Sequence, residues 1–506
     1  MTSWPDATTF AQIWARSVGA RPQQTFLIFE GPDGHVGEWT YAEFDHQVAR
    51  VATLLVDHGV TSGSAVHLAL ANSPTFVAVW LATNRLRAWI VPSDPMARTP
   101  ELSDHIQRTA PVVGFCAADR VAAYAAAAGT MPFVAVHEAS VDFEPFPTGE
   151  FADWALPELT DRAAVMFTSG TTGRPKGVEV TQANYAFAGR TMAEAAGLGA
   201  ADRQLVVLPL FHANAQYYSF APAIWAGASV ALMHTFSASR FLTQAARHRA
   251  TCASLFAAPI RMILARGGPV DGLVLRHCWF AQNITRDQYT TVTDWLGCAP
   301  RQLYGMTETI PAVLTEEPLD PHPDSMGRVT PGCEVDVQTP DGRSSAPGEV
   351  GEVVVRGDRG ITIFAGYLDD PATTEASFRD GWFRTGDRAT RDAEGRHYFD
   401  GRHSDVLKVA GENVSTVEVE SVLSGHPGIL EASVVGAPDP VRDEVPVAFV
   451  VAEDPAAAPT VEELHVWCQD RMGKAKQPRD ITFIDALPRT SVGKIRKFVL
   501  KEQVPT

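Results

Sequence analysis

The sequence predicts an α/β protein of at least two domains, and three observations lead to this prediction. The chain has 506 residues, whereas single hydrophobic cores stop growing near ~250–300 residues. Residues 39–92 alternate between helical and strand-like spacing of apolar side chains, which is typical of a mainly parallel sheet. From about residue 327 the pattern changes to short alternating strands, and the last part of the chain has strands and an amphipathic helix of its own.

The first alternation begins with a capping box, in which Thr40 precedes Glu43 by three residues, and apolar residues then follow at helical spacing. Residues 65–70 form the next predicted strand. The Ser-Pro pair at 73–74 begins another helix, because proline is favoured in a first helical turn. Residues 88–91 are strand-like again.

Further along the chain, a Pro-Asp-Gly sequence at 340–342 predicts a turn. Further strands are predicted at 163–167, 204–208, 229–233, 334–338, 351–356, 430–435 and 445–451, and further helices at 220–225 and 461–472.

The composition excludes several classes of function. A formal net charge of −17 disfavours nucleic acid and anionic lipid as partners, since both need a basic surface. The six cysteines show no zinc-ligand spacing, and a run of ~18 apolar residues that could span a membrane does not occur. The first residues do not have the pattern of a signal peptide. These features predict a cytoplasmic enzyme with no membrane and no nucleic-acid partner.

A loop rich in glycine and hydroxyl side chains follows the apolar strand at 163–167 and reads Thr-Ser-Gly-Thr-Thr-Gly-Arg-Pro-Lys-Gly over 168–177. Glycines let the backbone approach a phosphate closely, while hydroxyls, backbone N–H groups and a lysine bind its oxygens. It is not a Walker A loop, because glycine follows the lysine. The alternative is a flexible surface loop, which the specific order of ten residues disfavours. The candidate phosphate ligands are Thr168, Ser169, Gly170, Thr171, Thr172, Gly173 and Lys176.

This loop resembles the signature of the adenylate-forming superfamily, which includes acyl-CoA synthetases, adenylation domains of peptide synthetases, and luciferases. Further motifs of that family appear in the same order at Tyr304–Glu308, Arg384–Asp387, Gly401–Asp405, Gly411–Asn413 and Pro488–Lys494. The run at 408–415, with acidic residues soon after it, is most similar to the carnitine/crotonobetaine–CoA ligase branch.

The resemblance implies a fold and a reaction. The fold would be a large N-terminal domain (1–401) of two mainly parallel α/β sheets with a β-rich subdomain (about 327–401), followed by a small, mobile α+β domain (402–506). The reaction would form an acyl-adenylate from a carboxylic acid and ATP, release pyrophosphate, and transfer the acyl group to CoA. ATP, Mg²⁺ and CoA are therefore the expected cofactors and co-substrates.

The resemblance also assigns residues to the first step. Glu308, with Thr171, would bind Mg²⁺, which prefers hard oxygen ligands. Thr307 would donate a hydrogen bond to the α-phosphate, and Tyr304 would lie against the adenine. Lys494 would be carried into the site by domain motion, where it bridges carboxylate and α-phosphate oxygens.

Three other positions complete the nucleotide and CoA sites that the resemblance implies. Asp387 would accept hydrogen bonds from both ribose hydroxyls, and Arg402 would brace the nucleotide. Gly411 would line the pantetheine tunnel. The hinge of the domain rotation would fall near 402–405, although Ser404 stands where the family usually has Asp or Lys.

The expected acyl pocket contains aromatic and amide side chains, which favour a small polar or aromatic acid over a long fatty chain. The stretch at 280–284 is usually rich in glycine and alanine in this family, whereas here it contains bulky Gln282 and Asn283. Several pocket residues could instead be ordinary packing residues. The candidates are His212, Gln216, Tyr217, Ala281, Gln282, Asn283, Gly305, Met306 and Ile310, and His212 is also a catalytic candidate near the thiol.

The sequence does not determine whether CoA or another molecule accepts the acyl group in the second step. Similar enzymes load a carrier protein, and a few activate nitrite and attach it to an arylamine, for which an aminoaryl acid would be the substrate. A protein that binds ATP without turnover is a third alternative, which the presence of both Glu308 and Lys494 disfavours. A monomer or a homodimer is expected.

Overall fold

The structure, a computed structural model, describes residues 8–143, 146–147, 154, 156–168, 175–402, 406–409, 412–439, 442–489 and 495–504. Its helices are α1 (Phe10–Ala20), α2 (Tyr41–Asp57), α3 (Pro74–Arg85), α4 (Thr99–Thr109), α5 (Val121–Ala128), α6 (Gln182–Ala196), α7 (Ala221–Ala226), α8 (Phe241–Arg247), α9 (Ala257–Arg266), α10 (Arg286–Leu296), α11 (Pro371–Ala376), α12 (Thr416–Ser424), α13 (Val461–Gln469) and α14 (Lys497–Lys501).

The strands of the first 335 residues are β1 (Thr25–Glu30), β2 (Val36–Thr40), β3 (Ala65–Ala69), β4 (Trp89–Pro92), β5 (Val113–Ala117), β6 (Phe133–Val136), β7 (Arg162–Thr168), β8 (Lys176–Thr181), β9 (Arg203–Val206), β10 (Ser229–Met233), β11 (Cys252–Phe256), β12 (His277–Ala281), β13 (Arg301–Tyr304), β14 (Leu314–Thr315) and β15 (Arg328–Val329). The later strands are β16 (Glu334–Gln338), β17 (Gly351–Arg356), β18 (Gly366–Tyr367), β19 (Phe378–Arg379), β20 (Trp382–Arg391), β21 (His397–Arg402), β22 (Val406–Val409), β23 (Glu412–Ser415), β24 (Ile429–Asp439), β25 (Asp443–Ala452) and β26 (Asp480–Phe483).

The first sheet has, among the described residues, the strand order β15-β14-β13-β12-β11-β9-β10-β1-β2. The strands from β13 to β1 in this order run parallel, and antiparallel strands lie at both edges. Leu255 and Phe280 pack with Ile260 and other apolar side chains in the core on this sheet. Because β12 and β13 are parallel neighbours, the segments that follow them leave the sheet at the same edge, where ligands bind in open α/β sheets.

The second sheet, again within the described ranges, has the order β18-β8-β7-β4-β3-β5-β6. Strands β3 to β7 are parallel, whereas β7 and β8 form an antiparallel hairpin. The connection of this hairpin is the glycine-rich loop. Two mainly parallel sheets confirm the predicted α/β fold class.

Two smaller sheets follow in the chain, with orders β16-β17-β20-β19, to which β21 is added on β20, and β23-β22-β25-β24, to which β26 is added on β25. Around the last sheet, Leu423 of α12 and Leu464 of α13 pack with Val434 in a core. The chain divides into two compact units, Met1–Val335 with Val355–Phe383 and Asp336–Val354 with Arg384–Thr506. The domain boundary expected at residue 402 stays a prediction.

The local predictions succeed where one short signal decides the structure. The capping box is present, with Glu43 N–H donating to Thr40 Oγ1 at 3.2 Å and Thr40 N–H donating to Glu43 Oε2 at 2.8 Å. Element ends are less accurate, since α13 ends at Gln469 instead of residue 472. The helix predicted at 220–225 is α7, but a π-helix at Asn214–Phe220 precedes it and was not predicted. None of the helices described is long and apolar enough to cross a membrane.

A chain of buried polar side chains runs beside the second sheet. Tyr124 Oη lies 2.6 Å from His67 Nδ1, His67 Nε2 lies 3.0 Å from Ser93 Oγ, and Ser93 Oγ lies 2.8 Å from His105 Nδ1. Burial lowers the pKa of His67 to about 3 and that of His105 to about 4, and nearby Arg108 also lowers the latter. Both imidazoles are therefore neutral in the folded protein at neutral pH.

These histidines make stability depend on pH. In the unfolded chain a histidine has a pKa of ~6.5, so below that pH the unfolded state binds protons that the native state does not. The neutral, buried histidines therefore contribute fully to the free energy of unfolding above pH ~6.5, and this contribution is lost as the pH falls toward their pKa values in the folded protein. When the pH is lowered from 7.5 to 5, His67 and His105 should each reduce the free energy of unfolding by about 2 kcal/mol. Thermal and urea unfolding at the two pH values would measure this reduction.

Two variants test the assignment of this effect. His105→Gln retains a hydrogen-bonding group for Ser93 and should weaken the pH dependence, whereas His35→Gln, at an exposed position, should leave it unchanged. An equal or higher melting temperature at pH 5 in the wild type would contradict the prediction.

Candidate active site

The glycine-rich loop is closed at its base by backbone pairing. Thr168 ends β7 and pairs with Lys176, the first residue of β8, and its hydroxyl donates to the Lys176 carbonyl at 3.4 Å. These two candidate phosphate ligands therefore lie side by side. The other five, Ser169, Gly170, Thr171, Thr172 and Gly173, lie outside the described residues.

Helix α4 contacts both ends of this loop. Arg108 Nη1 donates to the Pro175 carbonyl at 2.7 Å, and its guanidinium carbon lies 4.7 Å from the centre of the Phe167 ring. The His105 ring stacks on Phe167 with 4.0 Å between centroids and 5° between planes. Arg108 and His105 could not be predicted from the sequence, because they are distant along the chain from the loop and belong to none of the family's motifs.

The motif at 304–308 turns sharply after β13. A Cβ atom at Gly305 would lie 2.9 Å from both the Pro311 carbonyl oxygen and Tyr218 Oη, so only glycine fits without a shift. The backbone N–H of Met306 donates to Thr309 Oγ1 at 3.0 Å, which holds the 3₁₀ turn Thr307–Thr309 in place. The predicted nucleotide residue Tyr304 is buried at the end of β13, and Thr307 is half-buried.

Glu308 is only 4% exposed, and Tyr367 Oη donates a hydrogen bond to its Oε1 at 3.0 Å. The Lys176 ammonium lies 4.6 Å from the centre of the same tyrosine ring. One aromatic side chain thus joins the candidate metal carboxylate to the candidate phosphate lysine. Tyr367 could not be predicted as a site residue, since nothing in the Gly-Tyr pair of β18 indicates what the tyrosine contacts.

The predicted acyl-pocket residues on the segment after β9 lie in and just before the π-helix Asn214–Phe220, a rare structure that is frequent at functional sites. Gln216 is fully buried, accepts a hydrogen bond from Tyr185 Oη, and donates one to the Leu210 carbonyl at 2.6 Å. Tyr217 is fully buried beside the Tyr185 ring, with 5.7 Å between centroids.

His212 lies half-buried just before that π-helix, with its ring centroid 4.2 Å from that of Phe211. Removal from water lowers the pKa of His212 to about 4, so the imidazole carries no charge at neutral pH. It can exchange hydrogen bonds with a ligand but does not supply a positive charge.

Two other pocket candidates have unusual backbones. Gln282, after β12, has φ of 73°, and Ile310, after the 3₁₀ turn, has φ of 71°. Left-handed backbone is strained for residues other than glycine, and such residues concentrate at active sites. The side chains of Gln282 and Asn283 are exposed, and Asn283 Oδ1 accepts a hydrogen bond from Gln302 at 2.9 Å, whereas Ala281 is half-buried.

Gln282→Gly should therefore stabilise the protein, by up to about 1 kcal/mol, since removal of the strain outweighs the added freedom of the unfolded chain. Thermal unfolding measures the change. The matched control is Gln107→Gly at an exposed, right-handed position in α4, which should destabilise by about 1 kcal/mol. A loss of stability in both variants would show that the backbone at Gln282 is not strained.

In the other unit, Asp387 and Arg402 are partners. Their backbones pair between β20 and β21, and Arg402 Nε lies 2.7 Å from Asp387 Oδ1. The turn before Asp387 is held by Thr385, which donates to the Val353 carbonyl at 2.7 Å and accepts from the Asp387 N–H at 3.1 Å. The candidate residues Gly411 and Lys494, and the hinge position Ser404, lie outside the described part of the chain.

Comparisons with known proteins agree with this chemistry. A family model described as AMP-binding enzyme matches residues 14–368, and one described as AMP-binding enzyme C-terminal domain matches 418–494. Crotonobetaine/carnitine–CoA ligases from Salmonella arizonae and Citrobacter koseri are each 32% identical over 97% of this chain and 98% of theirs.

Solved structures resemble the whole chain as well. One is an anthranilate–CoA ligase in complex with anthranoyl-AMP, with 25% identity, a TM-score of 0.87, and coverage of 99% of this chain and 98% of that one. Another is the o-succinylbenzoate–CoA synthetase of Bacillus subtilis with its acyl-adenylate, with 28% identity, a TM-score of 0.84, and coverage of 97% of each chain. The chain thus belongs to the AMP-binding enzymes, and it is an AMP-forming acyl-CoA ligase that uses ATP and CoA to convert a small-molecule acid into a thioester.

Proposed function

We propose that this ligase activates a small polar or aromatic carboxylic acid. The observation that carries the proposal is a pair of buried polar side chains in the π-helix, Asn214 and Tyr217. Within the described part of the chain, the amide oxygen and nitrogen of Asn214 have no hydrogen-bond partner. The hydroxyl of Tyr217 has none there either. Buried polar groups in native proteins are nearly always paired, so a ligand with its own hydrogen-bonding group fits these residues better than an alkyl chain.

The absence of charge among the predicted pocket residues limits the class of acid further. The nine predicted pocket residues include no lysine or arginine, and His212 is neutral at neutral pH. A second carboxylate on the acid would therefore lack a counter-charge there, which favours a neutral polar or aromatic group. The relatives are named for crotonobetaine and carnitine, whose cationic groups form a competing class for the test.

The reaction proceeds by two displacements. A carboxylate oxygen of the acid attacks the α-phosphorus of ATP and the bond to pyrophosphate breaks; the sulfur of CoA then attacks the acyl carbon and AMP leaves. The first step brings an anion against a polyanion, so it needs positive charge and alignment. We assign this work to Lys176, Thr307 and Lys494, with Tyr304 against the adenine.

Magnesium would be held by Glu308 together with phosphate oxygens of ATP. This metal is commonly bound through one or two carboxylates plus substrate phosphates, not by a cage of protein ligands. The described residues fit that mode, since they contain a buried carboxylate at 308 but no group of three or more His, Cys, Asp or Glu side chains that could hold a metal. When bound, Mg²⁺ would neutralise charge on the phosphates.

In the second unit, Asp387 would bind the ribose hydroxyls, and Arg402 would brace the nucleotide as well as orient that carboxylate. The ion pair at 2.7 Å supports this assignment, because it fixes the carboxylate in one position. A cytoplasmic location and a monomeric or homodimeric state stay predictions, which fractionation and light scattering would test.

A panel of acids tests the substrate class. Pyrophosphate release would be measured with hydroxy- and aminoaryl acids, short polar acids, betaine acids and long-chain fatty acids, and mass spectrometry would identify the product with CoA. We expect the highest kcat/KM with a neutral polar or aromatic acid. Tyr217→Phe should raise KM for that acid and leave KM for ATP unchanged. Preference for a long-chain acid would refute the proposal.

A further inference from the structure

We propose that Tyr367 is a positioning residue for adenylation, whose hydroxyl orients the Glu308 carboxylate and whose ring seats the Lys176 ammonium. This inference rests on the roles proposed above for Glu308 and Lys176. It adds Tyr367 as a third residue, which contacts neither Mg²⁺ nor ATP and acts through Glu308 and Lys176.

The backbone of Tyr367 is fixed relative to the strand that carries Lys176. Strand β18 is antiparallel to β8, with Tyr367 opposite Val178, and the next residue, Leu368, donates its N–H to the Gly177 carbonyl at 2.8 Å. The Tyr367 N–H donates to Thr374 Oγ1 at 2.9 Å. The tyrosine is 7% exposed and its ring packs edge-on against Phe364, with 5.1 Å between centroids. The side chain therefore has little freedom to move.

The same short segment is tied to Glu308 twice. Phe364 N–H donates to the backbone carbonyl of Glu308 at 3.0 Å, and Tyr367 Oη donates to its carboxylate Oε1 at 3.0 Å. A carboxylate oxygen can only accept, so the phenol hydroxyl is the donor in this hydrogen bond. A carboxylate with both its backbone and one oxygen fixed is held in one rotamer.

The ring of Tyr367 has a separate role toward Lys176. The lysine side chain is long and flexible, and a cation 4.6 Å from the ring centre is attracted by the negative aromatic face. The ring thus limits where the ammonium lies before ATP binds. Because the hydroxyl serves Glu308 and the ring serves Lys176, the two roles can be separated by substitution.

Two variants at this position make the separation. Tyr367→Phe removes the hydroxyl and retains the ring, whereas Tyr367→Leu removes both. Binding of ATP to the full chain would be measured by calorimetry, once with Mg²⁺ and once with EDTA. The matched control is Tyr398→Phe, which removes a hydroxyl that donates to another carboxylate, Asp392, at 3.0 Å.

We expect Tyr367→Phe to weaken ATP binding about 10- to 100-fold in Mg²⁺, the size of one hydrogen bond to a charged group, and to leave binding in EDTA unchanged. The Mg²⁺ concentration for half-maximal pyrophosphate release should rise by a similar factor. Tyr367→Leu should weaken ATP binding both with Mg²⁺ and with EDTA, because the Lys176 ammonium loses the aromatic ring that positions it. Tyr398→Phe should behave as the wild type.

Two results would overturn the inference. One is wild-type affinity and Mg²⁺ dependence in Tyr367→Phe; the other is an equal loss with and without Mg²⁺, which would indicate a packing role. Tyr367→Phe removes one oxygen atom and retains the packed ring, so it keeps the test valid if Tyr367→Leu fails to fold. Glu308→Gln distinguishes failure of the proposed metal carboxylate from failure of the inference about Tyr367. If Glu308→Gln leaves the Mg²⁺ dependence intact, the proposed role of Glu308 is wrong. If only Tyr367→Phe leaves it intact, the inference about Tyr367 is wrong.

Discussion

Lys494→Ala is expected to slow adenylate formation by about 10²–10³-fold, as removal of one transition-state donor typically does, and to leave the second step near its wild-type rate. The lysine is proposed to bridge the attacking carboxylate and the α-phosphate, where two negative groups must approach each other. In the second step the acyl-adenylate already exists and a thiol attacks its carbonyl, so this bridge is no longer needed.

The two half-reactions give the measurement. Pyrophosphate exchange reports adenylation, and thioester formation from a synthetic acyl-adenylate reports transfer. Lys501→Ala is a suitable control, because this exposed lysine lies at the end of α14 in the same tail of the chain. Equal loss of both half-reactions in Lys494→Ala would contradict the proposed division of labour.

Glu308→Gln is expected to reduce adenylation by at least about 10²-fold while the melting temperature stays close to that of the wild type. The amide has the size of the carboxylate and its oxygen can still accept the hydrogen bond of Tyr367, so packing is preserved. The negative charge that would bind Mg²⁺ is lost, and raising the Mg²⁺ concentration should restore only part of the rate.

A titration of pyrophosphate release with Mg²⁺ measures this loss. Glu317→Gln is the matched control, since Glu317 is exposed and ion-paired with Arg328 at 2.6 Å, and surface pairs of this kind contribute little. Normal Mg²⁺ dependence in Glu308→Gln would remove this residue from the metal site.

Much of the fold follows from local signals. The capping box at Thr40 and Glu43 fixes the start of α2, and the Ser-Pro pair fixes that of α3, because these signals act within one helical turn. The π-helix at Asn214–Phe220 could not be predicted in this way. Its hydrogen bonding is one residue wider than that of an α-helix, and no residue type reports this choice.

The strained backbone at Gln282 is a similar case. A glutamine predicts ordinary negative φ, and only the path of the chain between β12 and α10 forces the left-handed conformation. The sequence shows only that a large polar side chain stands in a stretch that is usually rich in glycine and alanine in this family. The structure adds that the backbone at this position is left-handed, a conformation that only glycine adopts without strain.

The sequence by itself determined the chemistry of this protein. The order of Thr168–Gly177, Tyr304–Glu308 and Arg384–Asp387 predicts ATP use and acyl-adenylate formation through its resemblance to the adenylate-forming family. Each of these motifs is short and carries its functional groups within a few residues. Only the tertiary structure decided how Glu308 and Lys176 are held. Their link is Tyr367, which is 59 residues along the chain from Glu308 and reaches it through the pairing of β18 with β8. Such contacts depend on strand pairing between distant segments, which local sequence patterns do not encode.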